Sequence, residues 1–500
     1  MTGYKAYVPP GPLLVGYDPY YDLADDHLAR LVDETVDELV SPPPPKQFGA
    51  GQPERDPRVL IKVLLYSVLT KVHSSRRMAQ NCCESLPYLY LVRDDRPCHT
   101  VLAQARRSEG KLLKDLFRRL HLMAQQVGIL YLGRIAVDSS KFAANASKAS
   151  VIQAADYDKA LETFDAILKT MEETDAREDS EKALANSETG VSRVHMREVL
   201  RMIGKEIDGG LTLTPQMTQR VKQSAKAVEA AKAQGLSHVS VTDPDARMMP
   251  IGSSKKQGLG HILEAVADGG NLIVGQTGNH ASDGGRLLPL FEKAREADLV
   301  PVTQVTADTG YYCGGHVHDL LAQKIEVIVP DQTSAREMKF GPPSPEAQPI
   351  EFIKVEGRNA YVCPAGNFLQ FDSYVPDVGG QRFSKYVAAK ECTDCPLASR
   401  CLKQKNAKRR HLRIGEFRDE LEKYNAGLLT PEKRDLYYER GPAIETVFAL
   451  LRTVFGFDRW HVRGSKSVES EGALVCCAYQ LKKIYARLQA KRQTLRTARA

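Results

Sequence analysis

No uninterrupted apolar run in this 500-residue chain approaches the ~20 residues that a bilayer span needs. The best run, Val59 to Leu69, is broken by Lys62, which excludes a membrane protein. The opening Met-Thr-Gly-Tyr-Lys lacks the basic-then-apolar order of a secretory signal, so the chain is expected in the cytoplasm. Gly252 to Gly260 lacks the phosphate-loop order Gly-x4-Gly-Lys-Ser/Thr, which argues against a nucleoside triphosphatase. No internal repeat is present. Apolar residues make up 42% and charged residues 26%, near soluble-globular averages. Collagen, coiled coil and a wholly disordered chain are therefore excluded. Ten cysteines without a signal peptide argue for thiols or metal rather than a disulfide scaffold.

Positive charge is unevenly placed. Residues 401–500 hold 22 Lys and Arg against 11 Asp and Glu, a net of +11, which leaves −4 for the first 400 residues. A concentrated positive end suits a polyanion, because bound cations release phosphate counterions. A solvated Lys/Arg-rich helical tail is the alternative.

Residues 1–55 read as an irregular arm, a short helix from about Asp25 to Val40 and a proline-rich linker, Pro42 to Pro53. Residues 56–130 read as a helical domain. Asp56-Pro57 is an N-cap followed by proline at the first helical position, and Leu60, Val63, Leu64, Val68 and Leu69 recur near helical spacing. Ser74 and Ser75 can cap a second helix, Thr100 to Arg107 forms a third, and Lys111 to Val127 a fourth. Short helices with tight polar turns suit a helix-turn-helix-like DNA binder, with Arg76, Arg77, Gln104, Arg106 and Arg107 as candidate contacts. An ordinary helical bundle with solvated arginines is the competing reading.

Residues 131–330 read as a mixed α/β sheet with a helical insertion at about 151–237. The order is a strand from Gly133 to Val137, the insertion, a hairpin (Ile262 to Ala267, Leu272 to Gln276), a helix from Gly284, a strand from Val302 to Ala307, a helix from Gly314, and a strand from Ile325 to Val329. Residues 331–436 form a Cys-rich insertion. Residues 437–490 return to the core, with a helix opening at Gly441-Pro442 and running to about Phe455. Residues 491–500 are a basic tail.

Three carboxylates occupy distinctive places. Asp138 ends the first core strand, Asp308 ends a later one, and Glu445 lies in the first turns of the last core helix. Strand ends meet at one rim of a sheet, and three convergent carboxylates make a hard oxygen cage for Mg²⁺ or Mn²⁺. Two such ions ~3.5–4 Å apart can clamp the attacking and leaving oxygens of a phosphodiester displacement. Each acid alone reads equally as a turn former or helix cap. Glu445 and Arg452 lie seven residues apart, on one helical face, whose buried side is marked by Ile444, Val447, Phe448, Leu451 and Phe455. Arg459, Trp460, His461 and Arg463 follow, an aromatic among cations suited to phosphate contact and base stacking, or to a core tryptophan.

Three blocks carry a family resemblance: Ala136-Val-Asp138-Ser-Ser; Thr306-Ala-Asp308-Thr-Gly-Tyr311; and Tyr438-Glu-Arg440 through Glu445 to Arg452, ending in His461-Val-Arg-Gly464. With them the chain resembles bacterial insertion-sequence DDE transposases, in the insertion-sequence four/five-like superfamily. The helical block from Asp56 to Arg107 and the segment Asp243 to Arg247 share in the likeness. The acids stand 170 and 137 residues apart, and the family tolerates insertions there. The third block resembles a Tyr-Arg-Glu-Lys signature. Its Tyr position falls on Tyr437 or Tyr438, and its Lys position holds Arg452, which keeps the charge but not the shape.

The resemblance implies a ribonuclease H-like fold and two Mg²⁺ or Mn²⁺ held by Asp138, Asp308 and Glu445. It implies cleavage at element ends followed by joining of the freed 3′-hydroxyl to target DNA. Tyr438, Arg440, Arg452, Arg459, Trp460, His461 and Arg463 would join the N-terminal helices in binding double-stranded DNA. A homo-oligomer is expected, nucleoid-associated when on DNA and without a membrane partner. A nuclease that cuts without joining and an inactive DNA-binding repressor are the rival readings.

Cys363, Cys392, Cys395 and Cys401 give Cys…Cys-x2-Cys-x5-Cys, a spacing that fits a closed structural Zn²⁺ site. His411 is a reserve ligand, an iron–sulfur cluster also fits the ligand type, and free thiols remain open. Lys403, Lys405, Lys408, Arg409 and Arg410 make the adjoining loop basic. The pairs Cys82-Cys83 and Cys476-Cys477 read as buried, His280, His316 and His318 as structural, and Asp243 and Asp245 as loop residues.

Overall fold

The structure is a computed structural model. It describes residues 18–42, 44, 55–129, 133–178, 215–252, 256–280, 283–297, 301–344, 350–376, 381–402 and 407–499. The arm before residue 18, most of the proline-rich linker, the middle of the helical insertion (179–214), and Lys403 and Lys405 lie outside the described residues.

Seven helices precede the sheet: α1 (Pro19–Asp22), α2 (Leu28–Leu39), α3 (Pro57–Leu69), α4 (Ser75–Glu84), α5 (Leu86–Val92), α6 (His99–Ser108) and α7 (Gly110–Gln126). Their starts follow from local chemistry. The Asp56 carboxylate accepts the Arg58 N–H at 2.9 Å with Pro57 at the first helical position, and Ser74 accepts the Arg77 N–H at 3.5 Å. Helix α3 is buried along almost its whole length, Lys62 included. The Lys62 ammonium is fully buried and lies 2.7 Å from both Asp33 and Asp37 of α2, while Arg93 reaches Asp33 at 2.9 Å. The charge that breaks the apolar run is thus the pin between α2 and α3.

The main sheet contains β1 (Arg134–Ala143), β4 (Arg247–Ile251), β5 (Lys256–Asp268), β6 (Asn271–Gly278), β7 (Gln304–Ala307) and β8 (Glu326–Ile328). Its order is β4-β5-β1-β7-β8, with β6 also on β5. β1 is antiparallel to β5 and parallel to β7, and β7 is parallel to β8, so the sheet is mixed, as the strand order predicts. The β5–β6 turn uses Gly269 and Gly270 at φ +57° and +79°, a left-handed pair that L side chains rarely adopt. β1 is longer than the sequence suggests. It continues past Asp138 to Ala143, because β5 stays paired with it there.

Among the described residues the insertion holds two helices, α8 (Tyr157–Glu178) and α9 (Pro215–Ala233), flanked by the short strands β2 (Val151–Gln153) and β3 (His238–Ser240), with its own small core. Helices α10 (Leu287–Ala297) and α11 (Gly314–Ala322) connect β6 to β7 and β7 to β8, and α12 (Gln332–Phe340) follows β8. The segment read as a Cys-rich insertion forms a second, five-stranded sheet, order β13-β12-β11-β10-β9, from β9 (Ile353–Lys354), β10 (Ala360–Val362), β11 (Phe368–Pro376), β12 (Arg382–Ala388) and β13 (His411–Gly415), with α13 (Ala398–Cys401) at one end.

Three helices close the chain: α14 (Arg418–Gly427), α15 (Pro431–Thr453) and α16 (Ser465–Arg499). α15 starts ten residues before the Gly441-Pro442 expected from sequence, with Pro442 inside it. Pro431 already occupies the favoured first position, and an interior proline forfeits one backbone hydrogen bond that the packing of Ile444, Val447, Phe448 and Leu451 outweighs. α16 continues through the residues read as a basic tail. Its middle is buried on every side, Leu474 to Tyr479 among them, against α7, α3, α6 and β6. Gly275 on β6 leaves no room for a Cβ, because the Cys476 sulfur lies directly over it. Cys82, Cys476 and Cys477 are buried as expected, but Cys83 is exposed.

Replacing Lys62 by Met leaves the Asp33 and Asp37 carboxylates without their buried cation. The variant should lose about 3–5 kcal/mol of unfolding free energy in urea titrations. A loss under about 1 kcal/mol would mean that the cluster does not hold α2 to α3.

Candidate active site

The parallel pairing of β1 with β7 ends at Val137↔Ala307, so the next residue on each strand is an aspartate, Asp138 or Asp308. Asp308 turns into a 3₁₀ turn (Thr309–Tyr311), its side chain accepting the Gly310 N–H at 2.9 Å. Asp138 remains on β1 and accepts the Ser139 N–H at 2.8 Å. Burial first, then the nearby Asp308 charge, pushes Asp138 up to about 6. Burial also raises Asp308, and Asp283 adds to this. Arg440 of α15 opposes both shifts, its guanidinium 3.8 Å from Asp138.

A carboxylate that the sequence reading missed stands beside the pair. Asp283 accepts a hydrogen bond from the Ser139 hydroxyl at 2.9 Å and lies 3.7 Å from His280. Burial would raise it, but the hydrogen bonds of His280 and Ser139 outweigh that, and it stays below its ordinary range. Behind it Glu264, fully buried on β5 opposite Ser139, is gripped by Arg286 through two bonds of 2.8 Å and by Gln276 at 2.5 Å. One signal in the sequence was available: an acid in the middle of the otherwise apolar run Ile262 to Ala267 needs a partner. His280, read as structural, bridges Glu264 and Asp283 at 3.5 and 3.7 Å.

α15 lies on the Asp138 side of β1. Arg452 donates to the Ser140 hydroxyl at 2.6 Å and stacks over Phe142, and Ser140 is two residues from Asp138 on the same face of the strand. Between Arg440 and Arg452 on the same helix, Glu445 is exposed and lies over Gly441. The structure thus brings Asp138, Asp308 and Asp283 to one rim and leaves the Glu445 carboxylate in solvent on the neighbouring helix. Among the described residues, no three His, Cys, Asp or Glu side chains are already drawn in to metal-ligand spacing. The donor set nevertheless suits a hard divalent cation: oxygen ligands only, two of them raised by burial.

The expected DNA contacts divide. Arg76, Arg77, Gln104, Arg107, Arg459 and Arg463 are exposed, as is Tyr438. Arg106 is buried, its guanidinium 3.9 Å from the buried Glu471 and bonded to the Met78 sulfur, so it is a core residue. Trp460 is fully buried, edge-on to Phe142 and Phe457, with its indole N–H donated to the His261 carbonyl at 3.3 Å. It cannot stack on a base without leaving the core. His461 is held by Glu471 at 2.9 Å and stacked on His73. Asp243 and Asp245 keep the loop role expected of them. Asp243 receives His261 at 2.9 Å and the Gly464 N–H at 3.1 Å, and Asp245 receives the Ser465 N–H at 2.6 Å, fixing the start of α16.

Comparison with known families gives two matches. Residues 362–485 match a family described as a transposase DDE domain, and residues 18–108 match one described as a transposase domain. Both matched families are transposase domains, and together they indicate similarity to the insertion-sequence DDE transposases. The DDE domain implies a ribonuclease H-like core, with which the mixed sheet agrees. The first match holds Glu445 and begins inside the segment read as an insertion; Asp138 and Asp308 lie outside both matches. No curated protein matches. No helix among the described residues is long and apolar enough to cross a membrane.

Asp138 gives a pH test that needs no DNA. Its native carboxyl holds a proton up to about pH 6, whereas the unfolded chain releases it near the ordinary value of 3.8. Stability of the metal-free protein should therefore fall as pH rises between about 4 and 6, and Asp138→Asn should recover about 2 kcal/mol at pH 7. Thermal melts of both forms across that range check this. Parallel curves would place Asp138 in water.

Proposed function

We propose that this transposase binds the terminal inverted repeats of its own element, cleaves the phosphodiester at each end and joins the freed 3′-hydroxyl to target DNA. The observation that carries the reading is the pair Asp138 and Asp308, 170 residues apart in sequence, set side by side at the end of the β1–β7 pairing. Asp138 and Asp308 would hold Mg²⁺ or Mn²⁺, with Glu445 turning in from α15 and Asp283 as a further oxygen donor. Two such ions would activate the attacking oxygen and stabilise the leaving one.

The chain's own side chains do the rest. Arg440 balances the aspartate charges and meets the scissile phosphate from the α15 side. Arg452, anchored on Ser140, offers a second cation one helical stretch away. Glu264 and His280 keep Asp283 oriented and Asp283 in turn keeps the Ser139 hydroxyl turned away from Asp138. The exposed Arg76, Arg77, Gln104 and Arg107 of α4 and α6 would contact the element ends as part of a DNA-bound oligomer, with Tyr438, Arg459 and Arg463 nearer the site.

Purified full-length protein should nick a duplex carrying the element's terminal repeats when Mg²⁺ is present. Asp138→Asn, Asp308→Asn and Glu445→Gln should each lower the rate at least about 100-fold without unfolding the protein, Asp138→Asn melting higher than the wild type at pH 7. Joining of a pre-cut 3′ end to a plasmid separates transposition from cleavage alone. Wild-type protein that binds these ends but never nicks them would favour a repressor.

DNA contact has its own test. Arg76→Ala and Arg107→Ala should weaken duplex binding for all sequences and each lower the slope of log affinity against log salt by about 1. Unchanged slopes would move the DNA surface elsewhere.

A further inference from the structure

We infer that Cys363, Cys392, Cys395 and Cys401 form a structural zinc site that fixes the basic segment Lys408 to Arg410, which leads into β13, at the end of the second sheet. β10 and β12 run in the same direction, so the residues that follow them emerge at one end of that sheet. Cys363 follows β10, and Cys392 lies four residues beyond β12. All four cysteines line a single cavity of about 300 Å³, together with Asn367 and Arg410.

Among the described residues the sulfurs do not yet stand at metal-ligand spacing, but the turns around them aim N–H groups at sulfur. Cys363-Pro-Ala-Gly366-Asn367 folds back on itself, with Gly366 at φ +75° and its N–H bonded to the Cys363 carbonyl at 2.8 Å. That turn aims the Asn367 backbone N–H at the Cys363 sulfur, 3.3 Å away, while the Asn367 side-chain amide reaches the Cys392 sulfur at 3.7 Å. N–H groups pointed at sulfur stabilise thiolate, the form that binds metal. The Cys392–Cys395 turn closes with the Cys395 N–H on the Cys392 carbonyl at 3.4 Å, and Cys401 ends α13, the short helix that follows. Cys392 is buried and the other three are half-buried, all as free thiols.

Four thiolates complete a tetrahedral Zn²⁺ shell and leave no open position, so the site would be structural. Binding releases the four thiol protons to solvent and draws the sulfurs inward from their metal-free spacing. The consequence falls on the basic segment. The Cys392 N–H is bonded to the Lys408 carbonyl at 2.8 Å, and the Arg410 guanidinium donates to the Cys401 carbonyl at 3.1 Å. Metal at the cysteines would thus hold Lys408 to Arg410 in one place at the end of the sheet.

The test uses full-length protein purified without chelator. Metal analysis should give about one zinc per chain, and Co²⁺ exchange should give the absorption bands of a tetrahedral thiolate site. Iodoacetamide labelling read by peptide mass should leave Cys363, Cys392, Cys395 and Cys401 protected until zinc is chelated. The exposed Cys83 and Cys98 should react throughout. This readout is made on the native sequence, so it does not depend on a cysteine variant folding. Cys395→Ser should lower zinc retention at least about tenfold. Zinc-free protein whose four cysteines label as fast as Cys83 would overturn the inference, and so would stoichiometric iron with acid-labile sulfide.

Discussion

The register between β1 and β7 is the constraint on which the site depends. Side chains alternate along a strand, so a slip by one residue would turn Asp138 to the opposite face and bring Ser139 beside Asp308. That register is held from both sides. β5 pairs with β1 across nine positions from Ile135 to Ala143, and Val137 and Ala307 are sealed in the core beneath the rim. The same pairing sets Glu264 opposite Ser139, and Glu264 binds the arginine at the entrance to α10. Asp283, just ahead of that helix, inherits its place from the sheet rather than from its own loop.

Burial then gives this rim its chemistry. Burial at a partly dry edge raises Asp138 and Asp308, with the Asp308 charge adding to the first and the Asp283 charge to the second, whereas hydrogen-bonded Asp283 moves the other way. Arg440, the cation that opposes both shifts, stops at 3.8 Å from Asp138 and does not close a direct salt bridge of ideal geometry. The folded chain therefore carries an electrostatic cost here that a divalent cation would relieve. That tension is why Asp138, proposed here to hold the metal, should cost stability at neutral pH.

Much of this was legible in the residues. Strand order, helix caps and the α15 buried face follow from period, proline position and capping side chains, and each left a local mark. What escaped detection lacked one. Helix α16 is wrapped by neighbours on all sides through its middle, so it shows no amphipathic stripe to read. Asp283 sits in a short polar stretch between His280 and Gly284, where an acid ordinarily signals only a turn. Arg106 and Trp460 misled for the opposite reason. Both belong to residue types favoured at DNA surfaces, and only the fold reveals Glu471 and Phe457 waiting for them inside. The Cys-x2-Cys spacing, by contrast, is local, and the cavity that its cysteines share needed only the β10–β12 geometry to bring Cys363 across.

The helical N-terminal region is not an appendage to the sheet. Residues of α2 to α7 share one continuous core with α15, α16 and the underside of the sheet, from Leu64 and Leu116 to Leu263 and Ala136. Gly110 of α7 abuts Ser470, Cys477 bonds the Leu113 carbonyl at 3.1 Å, and Glu471 joins Arg106 of α6 to the loop after α15. Exposed arginines on α4 and α6 are therefore held at fixed distances from Asp138 instead of swinging on a linker. Loosening α16, for example by breaking the Glu471 contacts, should then uncouple DNA binding from chemistry before it abolishes either.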